Sequence, residues 1–121
     1  MFSVNSLLSY FQQTFAAPTV ATTLVTPGTG FNYAVPSPVS QAQWILIQPA
    51  GALLTGTVTL PLNTGTPDGT EVLITTTQQI AGFTLAPNGA ANIYGNVLVL
   101  AAGDFVKFRF YQATNSWYRV G

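Results

Sequence analysis

Acid–base chemistry in this chain would have to use its three carboxylates, Asp68, Glu71 and Asp104. Paired carboxylates act as acid and base in glycoside hydrolysis, and a single one can act as a general base. Asp68, however, lies in a Pro-Asp-Gly turn and Asp104 follows a glycine turn, positions where aspartate bonds to nearby backbone groups. Glu71 opens the next strand and is expected to be a solvated neighbour of Asp68. We therefore predict no catalytic residues and no enzyme activity.

Cysteine and histidine, which serve many reaction and metal centres, are missing from the sequence. Their absence excludes a disulfide framework, a thiolate nucleophile and an imidazole base. Oxygen atoms of Asn63, Asp68 and Asn92 would suit a hard cation, but the sequence contains no pattern for such a site. We predict neither a bound metal nor a cofactor.

The three cations are Lys107, Arg109 and Arg119, too few for the phosphate-neutralising patch that nucleic-acid binding requires. Lys107 and Arg109 share one strand face with Phe105 and Tyr111, a combination that can contact a sugar or a peptide. A solvated or interface-facing strand surface is the interpretation we favour. No apolar run approaches the roughly 18 to 20 residues of a membrane span. We therefore expect neither nucleic acid nor membrane as a partner.

The low charge of the chain is its most unusual property. Its 121 residues suit one domain, of which 48% are apolar and only 5% charged, against roughly 25% charged in a typical soluble domain. The formal net charge is zero, so little repulsion opposes contact between copies. Threonine, glutamine, asparagine and serine can hydrate such a surface, or an assembly can cover it. We favour the assembly.

The N-terminal part of the chain is predicted to be an attachment region, residues 1–42. Residues 2–17 have the spacing of an amphipathic helix ending before Pro18. Its apolar face consists of Val4, Leu7, Leu8, Phe11 and Phe15. This face could pack on the chain's own domain or dock on another protein, and we favour docking because a linker follows it. That linker, rich in proline and glycine, is expected to be an extended arm with one or two edge strands.

Residues 43–121 are predicted to be a β domain, an antiparallel β-sandwich or barrel-like fold, because short strands alternate with turns. The apolar run 44–48 is typical of a strand buried on both faces. Further strands are expected at 96–101 and 105–111, among others. Trp117 is expected inside, against the apolar face of 105–111.

Six short motifs follow one another through this domain. They are Val58-Thr59-Leu60-Pro61, Asp68-Gly69-Thr70-Glu71-Val72, Pro87-Asn88-Gly89, Asn92-Ile93-Tyr94-Gly95, Leu100-Ala101-Ala102-Gly103 and Asn115-Ser116-Trp117-Tyr118. In order and spacing they resemble a C-terminal module of bacteriophage virion fibres and decoration proteins. The resemblance implies a homotrimer on the virion.

The function implied by this resemblance depends on what precedes the module. Fibres of the family carry a long shaft there, whereas about forty residues precede the module in this chain. We therefore expect a capsid decoration, or cement, protein that binds the major capsid protein on the outer surface of the virion and stabilises the head shell. The alternative is a short head-fibre or tail-tip protein that recognises host-surface glycans.

Overall fold

The structure, a computed structural model, describes residues 20–37 and 41–121. These residues form nine β-strands and two short 3-10 helices, Asn63–Gly65 and Gln112–Thr114, and within them there is no α-helix. The strands are β1 Val20–Val25, β2 Phe31–Ala34, β3 Ala42–Ile47, β4 Leu53–Thr59, β5 Glu71–Thr76, β6 Ile80–Ala86, β7 Asn92–Tyr94, β8 Phe105–Tyr111 and β9 Ser116–Arg119. The helix expected at 2–17 lies outside the described residues.

The first six strands form a parallel coil of three rungs, β1–β2, β3–β4 and β5–β6. Each rung contributes its first strand to one sheet and its second strand to another, and neighbouring strands in both sheets are parallel. Equivalent residues therefore stack in columns: Thr23, Ile45 and Ile74 form one of them. The arrangement is that of a β-solenoid.

Antiparallel strands follow the coil and extend its first sheet. β8 pairs with β5 and β9 pairs with β8, both antiparallel, whereas β7 lies parallel to β9. The result is a six-stranded sheet in the order β1-β3-β5-β8-β9-β7, facing the three-stranded sheet β2-β4-β6.

The expectation of an antiparallel sandwich or barrel is wrong. Alternating residues identify strands, but they do not specify which strand becomes the neighbour. From β1 to β6 the chain passes from one sheet to the other after each strand, and only β8 and β9 fold back on each other as a hairpin. Backbone bonds from Gln48 N–H to Val25 O (2.7 Å) and from Thr77 N–H to Ile47 O (3.0 Å) continue the parallel pairing beyond the strand ends. Each strand of the coil consequently pairs with its equivalent one rung away.

The strand expected at 96–101 is also absent from the structure. The segment pairs with β6 only through an isolated bridge between Leu100 and Ile80 and a 2.8 Å bond from Phe83 N–H to Leu98 O. Two other predictions for this half of the chain are confirmed: β8 buries every second side chain, and Trp117 is fully buried with its ring 5.1 Å from that of Phe110. The indole N–H of Trp117 finds no acceptor within the described residues.

The core lies between the two sheets. Its fully buried members are mainly β-branched and aromatic residues of the second and third rungs and of β8 and β9. They include Ile45, Ile47, Val58, Leu60, Val72, Ile74, Ile80, Phe83, Val106, Phe108 and Trp117. Burial of each such side chain contributes about 1.5–3 kcal/mol. This core holds the sheets together and leaves their outer faces available for contact.

Candidate interaction surfaces

The outer face of the six-stranded sheet is apolar over the coil. Its large side chains come from β1, β3, β5 and β8, and we name them together the apolar face: Val20, Leu24, Trp44, Leu46, Leu73 and Phe105. Val20, Leu24 and Phe105 are 53%, 56% and 57% exposed. In the strand register Leu24 and Leu46 are neighbours in one row across the sheet, and Thr75 separates them from Phe105. Large apolar side chains exposed together in this way mark an interaction site.

Strand β3 lies in the middle of the apolar face and has apolar residues on both sides. Ile45 and Ile47 point into the core and are fully buried. Trp44 and Leu46 point outward and are only half-buried, although Trp44 Nε1 donates a 3.0 Å hydrogen bond to Thr75 Oγ1. The expectation that this run is buried on both faces is therefore met on one face only. The outward residues of β3 are as apolar as those of a buried surface, but the described residues cover them only in part.

The outer face of the three-stranded sheet has a different composition. Asn32, Thr57 and Thr84 form one row across it, with Thr59 in the next row. The hydroxyl of Thr59 donates to Asn32 Oδ1 at 3.1 Å. We name these four residues the threonine face. Water can hydrate such side chains, so this surface does not require a partner.

One charge cluster borders the apolar face. Arg109 Nη2 and Lys107 Nζ lie 2.7 and 3.2 Å from the same oxygen of Glu71, Oε2. Burial raises the pKa of Glu71, but hydrogen bonds and attraction from Arg109 and Lys107 outweigh burial, and the pKa lies below its ordinary value. The carboxylate is ionised and held by two cations, an arrangement that makes it a poor general base.

Both aspartates accept hydrogen bonds from the backbone. Asp104 Oδ2 accepts from Ala101 N–H at 2.8 Å, which confirms the turn role expected for it. Asp68 Oδ1 accepts from Gln112 N–H at 2.8 Å, so this residue ties its turn to a distant segment rather than to its own backbone. The sequence did not indicate this long-range bond, because a turn aspartate is normally satisfied locally.

Two of the residues considered for a cation, Asn63 and Asp68, are engaged in other hydrogen bonds. Asn63 Nδ2 donates to Asn115 Oδ1 at 2.9 Å. Within the described ranges, no group of three or more histidine, cysteine, aspartate or glutamate side chains is placed to hold a metal ion. In the same residues, no helix is long and apolar enough to cross a membrane.

A cleft lined by tyrosines lies at the other end of the six-stranded sheet. Its volume is about 460 Å³, and Asp68, Arg109, Tyr111 and Tyr118 are among its lining residues. The rings of Tyr94 and Tyr118 are stacked at 5.0 Å, and Tyr111 meets Tyr118 edge-on at 6.3 Å. Alternation along 105–111 places Arg109 and Tyr111 on one face, but nothing in the sequence indicated Tyr94 or Tyr118, because only strand pairing brings them alongside.

Among the described residues, nothing lies beyond the first rung at one end of the coil. Its inward-facing side chains are only partly buried, although they continue columns that are buried in the second rung. We name these side chains the open end: Ala21, Thr23, Val25, Phe31 and Tyr33. In the described residues β1 and β2 are also the edge strands of their sheets. The open end therefore combines uncovered core residues with unpaired strand edges.

The predicted attachment face, Val4, Leu7, Leu8, Phe11 and Phe15, lies outside the described residues. One or two edge strands were expected in the arm, and the structure contains two, β1 and β2, paired with β3 and β4. The described part of residues 1–42 thus belongs largely to the coil. Attachment through this region, and the division of the chain at residue 42, stay predictions.

The motifs that carry the phage resemblance fall mainly at turns. Gly69, Gly89 and Gly103 have φ values of 80°, 96° and 82°, which side-chain-bearing residues rarely adopt. Their types are therefore explained by backbone geometry. Comparison of the chain with protein-family models, with curated proteins and with solved structures finds no match.

Proposed function

We propose that this chain is a structural protein of a bacteriophage virion, which forms a homotrimer through the apolar face and decorates the outer surface of the head shell. The observation that carries the proposal is the composition of β3, whose outward Trp44 and Leu46 are as apolar as its buried Ile45 and Ile47. A strand with two apolar faces is typical of burial on both sides. Self-association supplies the missing cover.

The energetics of the apolar face favour association with copies of the chain. Complete burial of a large apolar side chain contributes about 1.5–3 kcal/mol, so completing the burial of half-exposed ones contributes about 1 kcal/mol each. The chain has no net charge, and electrostatic repulsion between copies is therefore weak. The nearby charges of Glu71, Lys107 and Arg109 already neutralise one another in part. These properties support an obligate interface, which is apolar and broad.

The matched pair Leu46→Glu and Thr57→Glu tests self-association. Both positions are half-buried, outward-facing and in the second rung, on the central strand of the coil part of each sheet. We expect native mass spectrometry to give a trimer for the parent chain and for Thr57→Glu. Leu46→Glu should dissociate, because association would bury an unpaired carboxylate. A monomeric parent chain, or equal behaviour of the two variants, would refute the proposed interface.

Localisation on the head shell requires its own experiment. Purified particles of a phage whose genome encodes the chain should contain it in multiples of three copies. A low-resolution reconstruction of these particles should place it on the major capsid protein. Particles that lack the chain should lose stability on heating and regain it when the trimer is added. Absence of the chain from purified particles would refute the virion assignment while leaving the trimer result unaffected.

The tyrosine cleft favours a second candidate function, recognition of host-surface glycans by a head-fibre or tail-tip protein. Aromatic rings beside Asp68 and Arg109 offer stacking surfaces together with a hydrogen-bond acceptor and donor. A printed glycan array tests this function. Binding that is lost in Tyr111→Ala but kept in Val99→Ala, which alters another exposed apolar residue, would support it. Absence of binding to every glycan would exclude it for that panel.

A further inference from the structure

Inward-facing side chains are less buried at the open end than in the rest of the coil. In the second rung Gln43, Ile45 and Ile47 are buried, whereas Ala21, Thr23 and Val25, which stack directly on them, are half-exposed. The same difference separates Tyr33 from Val58 in the other sheet. Repeat coils require caps at both ends, because a terminal repeat lacks the neighbour that covers its core.

The edges of the first rung carry none of the usual protection against further pairing. Edge strands are normally blunted by charges, by proline or by bulges. The strand sequences VATTLV and FNYA contain neither a charged residue nor a proline. At the opposite end of the coil, β8 pairs with β5 and contributes buried residues to the core. The described residues therefore include a cap for one end only.

We propose that residues 1–19 of the same chain cap the open end, with Val4, Leu7, Leu8, Phe11 and Phe15 packed on the half-exposed side chains of the first rung. The chain enters the first rung at Val20, the first residue of β1, so these 19 residues are tethered where the cover is missing. Tethering gives the segment a local concentration on the order of millimolar, far above that of a separate partner in dilute solution.

The dimensions of the segment fit the edge that it would cover. A six-residue strand such as β1 is about 20 Å long. A helix over residues 2–17 would be about 24 Å long. Pro18 separates the two segments in the sequence, and proline ends a helix, so a reversal there would let the helix run back along β1. This inference does not depend on the virion proposal. It selects, from the two interpretations of the N-terminal face, packing on the chain's own domain.

A double-mutant cycle in the full-length chain tests the cap. We would measure guanidinium unfolding of Phe11→Ala, Phe31→Ala and the double variant. The effects of substitutions at two contacting residues do not add. We therefore expect the double variant to change the unfolding equilibrium constant by about 3- to 30-fold less than the product of the two single changes. Gln13→Ala, on the opposite side of the predicted helix, and Phe105→Ala, on the apolar face, serve as uncoupled controls. Coupling below about twofold for Phe11 and Phe31 would overturn the inference.

Cross-linking distinguishes a cap within the chain from one supplied by a second copy. The natural sequence has no cysteine, so Leu8→Cys and Tyr33→Cys introduce the sole thiols for a short bismaleimide. We expect the coupled protein to run as a cross-linked monomer in denaturing electrophoresis. A cross-linked dimer as the main product would overturn the inference by making a second copy the occupant. Coupling between Phe11 and Phe31 in the unfolding measurements, without a cross-linked dimer, would support the inference. Loss of particle binding in Phe11→Ala without any coupling to Phe31 would overturn it and assign residues 1–19 to the shell.

Discussion

The two ends of the coil are built from similar strands but differ in what covers them. In the third rung Val72, Ile74 and Thr76 are buried, and β8 pairs alongside them. In the first rung the equivalent side chains are half-exposed, and no described strand lies beyond β1. Strand pattern alone therefore does not decide burial. The neighbouring rung or cap decides it.

One column of the coil shows this difference with the same side chain. Phe31, Gly56 and Phe83 occupy equivalent positions in successive rungs. Phe83 is 1% exposed, whereas Phe31 is half-buried and its ring lies over the α-carbon of Gly56. Glycine in the middle rung gives the first phenylalanine space to lean into the coil. The open end thus uses part of the second rung as its packing surface.

The largest effect is expected at the closed end, for Trp117→Ala. Loss of a fully buried aromatic ring should lower the free energy of unfolding by about 3–5 kcal/mol. Trp117→Phe is the matched control and should cost much less, because it keeps a ring against Phe110 and removes the buried, unbonded indole N–H. Chemical denaturation measures both. Equal losses for the two variants would contradict this packing role.

The next prediction compares Phe83→Ala with Phe31→Ala in the full-length chain. Phe83→Ala should cost about 3–5 kcal/mol, the usual range for a buried phenylalanine. If residues 1–19 cap the open end, Phe31→Ala should cost only about 1–2 kcal/mol less than Phe83→Ala, because Phe31 is then nearly as covered. Unfolding measured in guanidinium tests the difference. A loss close to zero for Phe31→Ala would mean that the open end stays exposed.

Gly56→Ala should have a moderate effect on the same column. A methyl group at this position would overlap the ring of Phe31, and overpacking of this kind costs about 1–3 kcal/mol. The cost should fall when Phe31→Leu is added, since the smaller side chain frees the space. Thermal unfolding of the single and double variants tests this. Additive losses would show that the ring of Phe31 is not the obstacle.

The smallest effect on the free energy of unfolding is expected for Glu71→Gln, and this effect should depend on pH. The pKa of Glu71 is lowered in the folded chain, so its stabilising contribution is complete above the ordinary glutamate pKa of about 4.3. The contribution is lost as the pH falls through the lowered pKa. Because the three side chains are partly exposed, the difference between parent and variant at neutral pH should stay below about 1 kcal/mol.

Measurement of unfolding for the parent and for Glu71→Gln between neutral and acid pH isolates this contribution, since the other carboxylates titrate in both proteins. The two curves should converge at acid pH. A difference that grows as the pH falls would have the wrong sign for the observed ion pairs.

Local chemistry was predictable where it depends on residues close in sequence. The alternation of β8, the local bond of Asp104 and the inward position of Trp117 all follow from side-chain period and turn type. The group of tyrosines at the cleft was not predictable, since Tyr111 and Tyr118 line the cleft while Tyr94 stacks on Tyr118 from a third strand. Tyr118 meets Tyr111 through the antiparallel pairing of β8 with β9, and it meets Tyr94 through the parallel pairing of β7 with β9. Alternation along a strand does not specify such a partner.

The sequence by itself determined that the chain is rich in β-strands, nearly uncharged and apolar on both sides of the run 44–47. These properties follow from composition and from a period of two, which need no knowledge of neighbours. Only the tertiary structure decided that the first six strands stack in parallel rungs, that one outer face is apolar and the other polar, and that no described strand covers the first rung. Each of these three features depends on which distant strand supplies the backbone hydrogen bonds. Because backbone N–H and C=O groups are the same in every strand, the residues of one strand do not specify its partner. Alternation along a strand therefore specifies two faces, while the path of the chain between sheets specifies what each face meets.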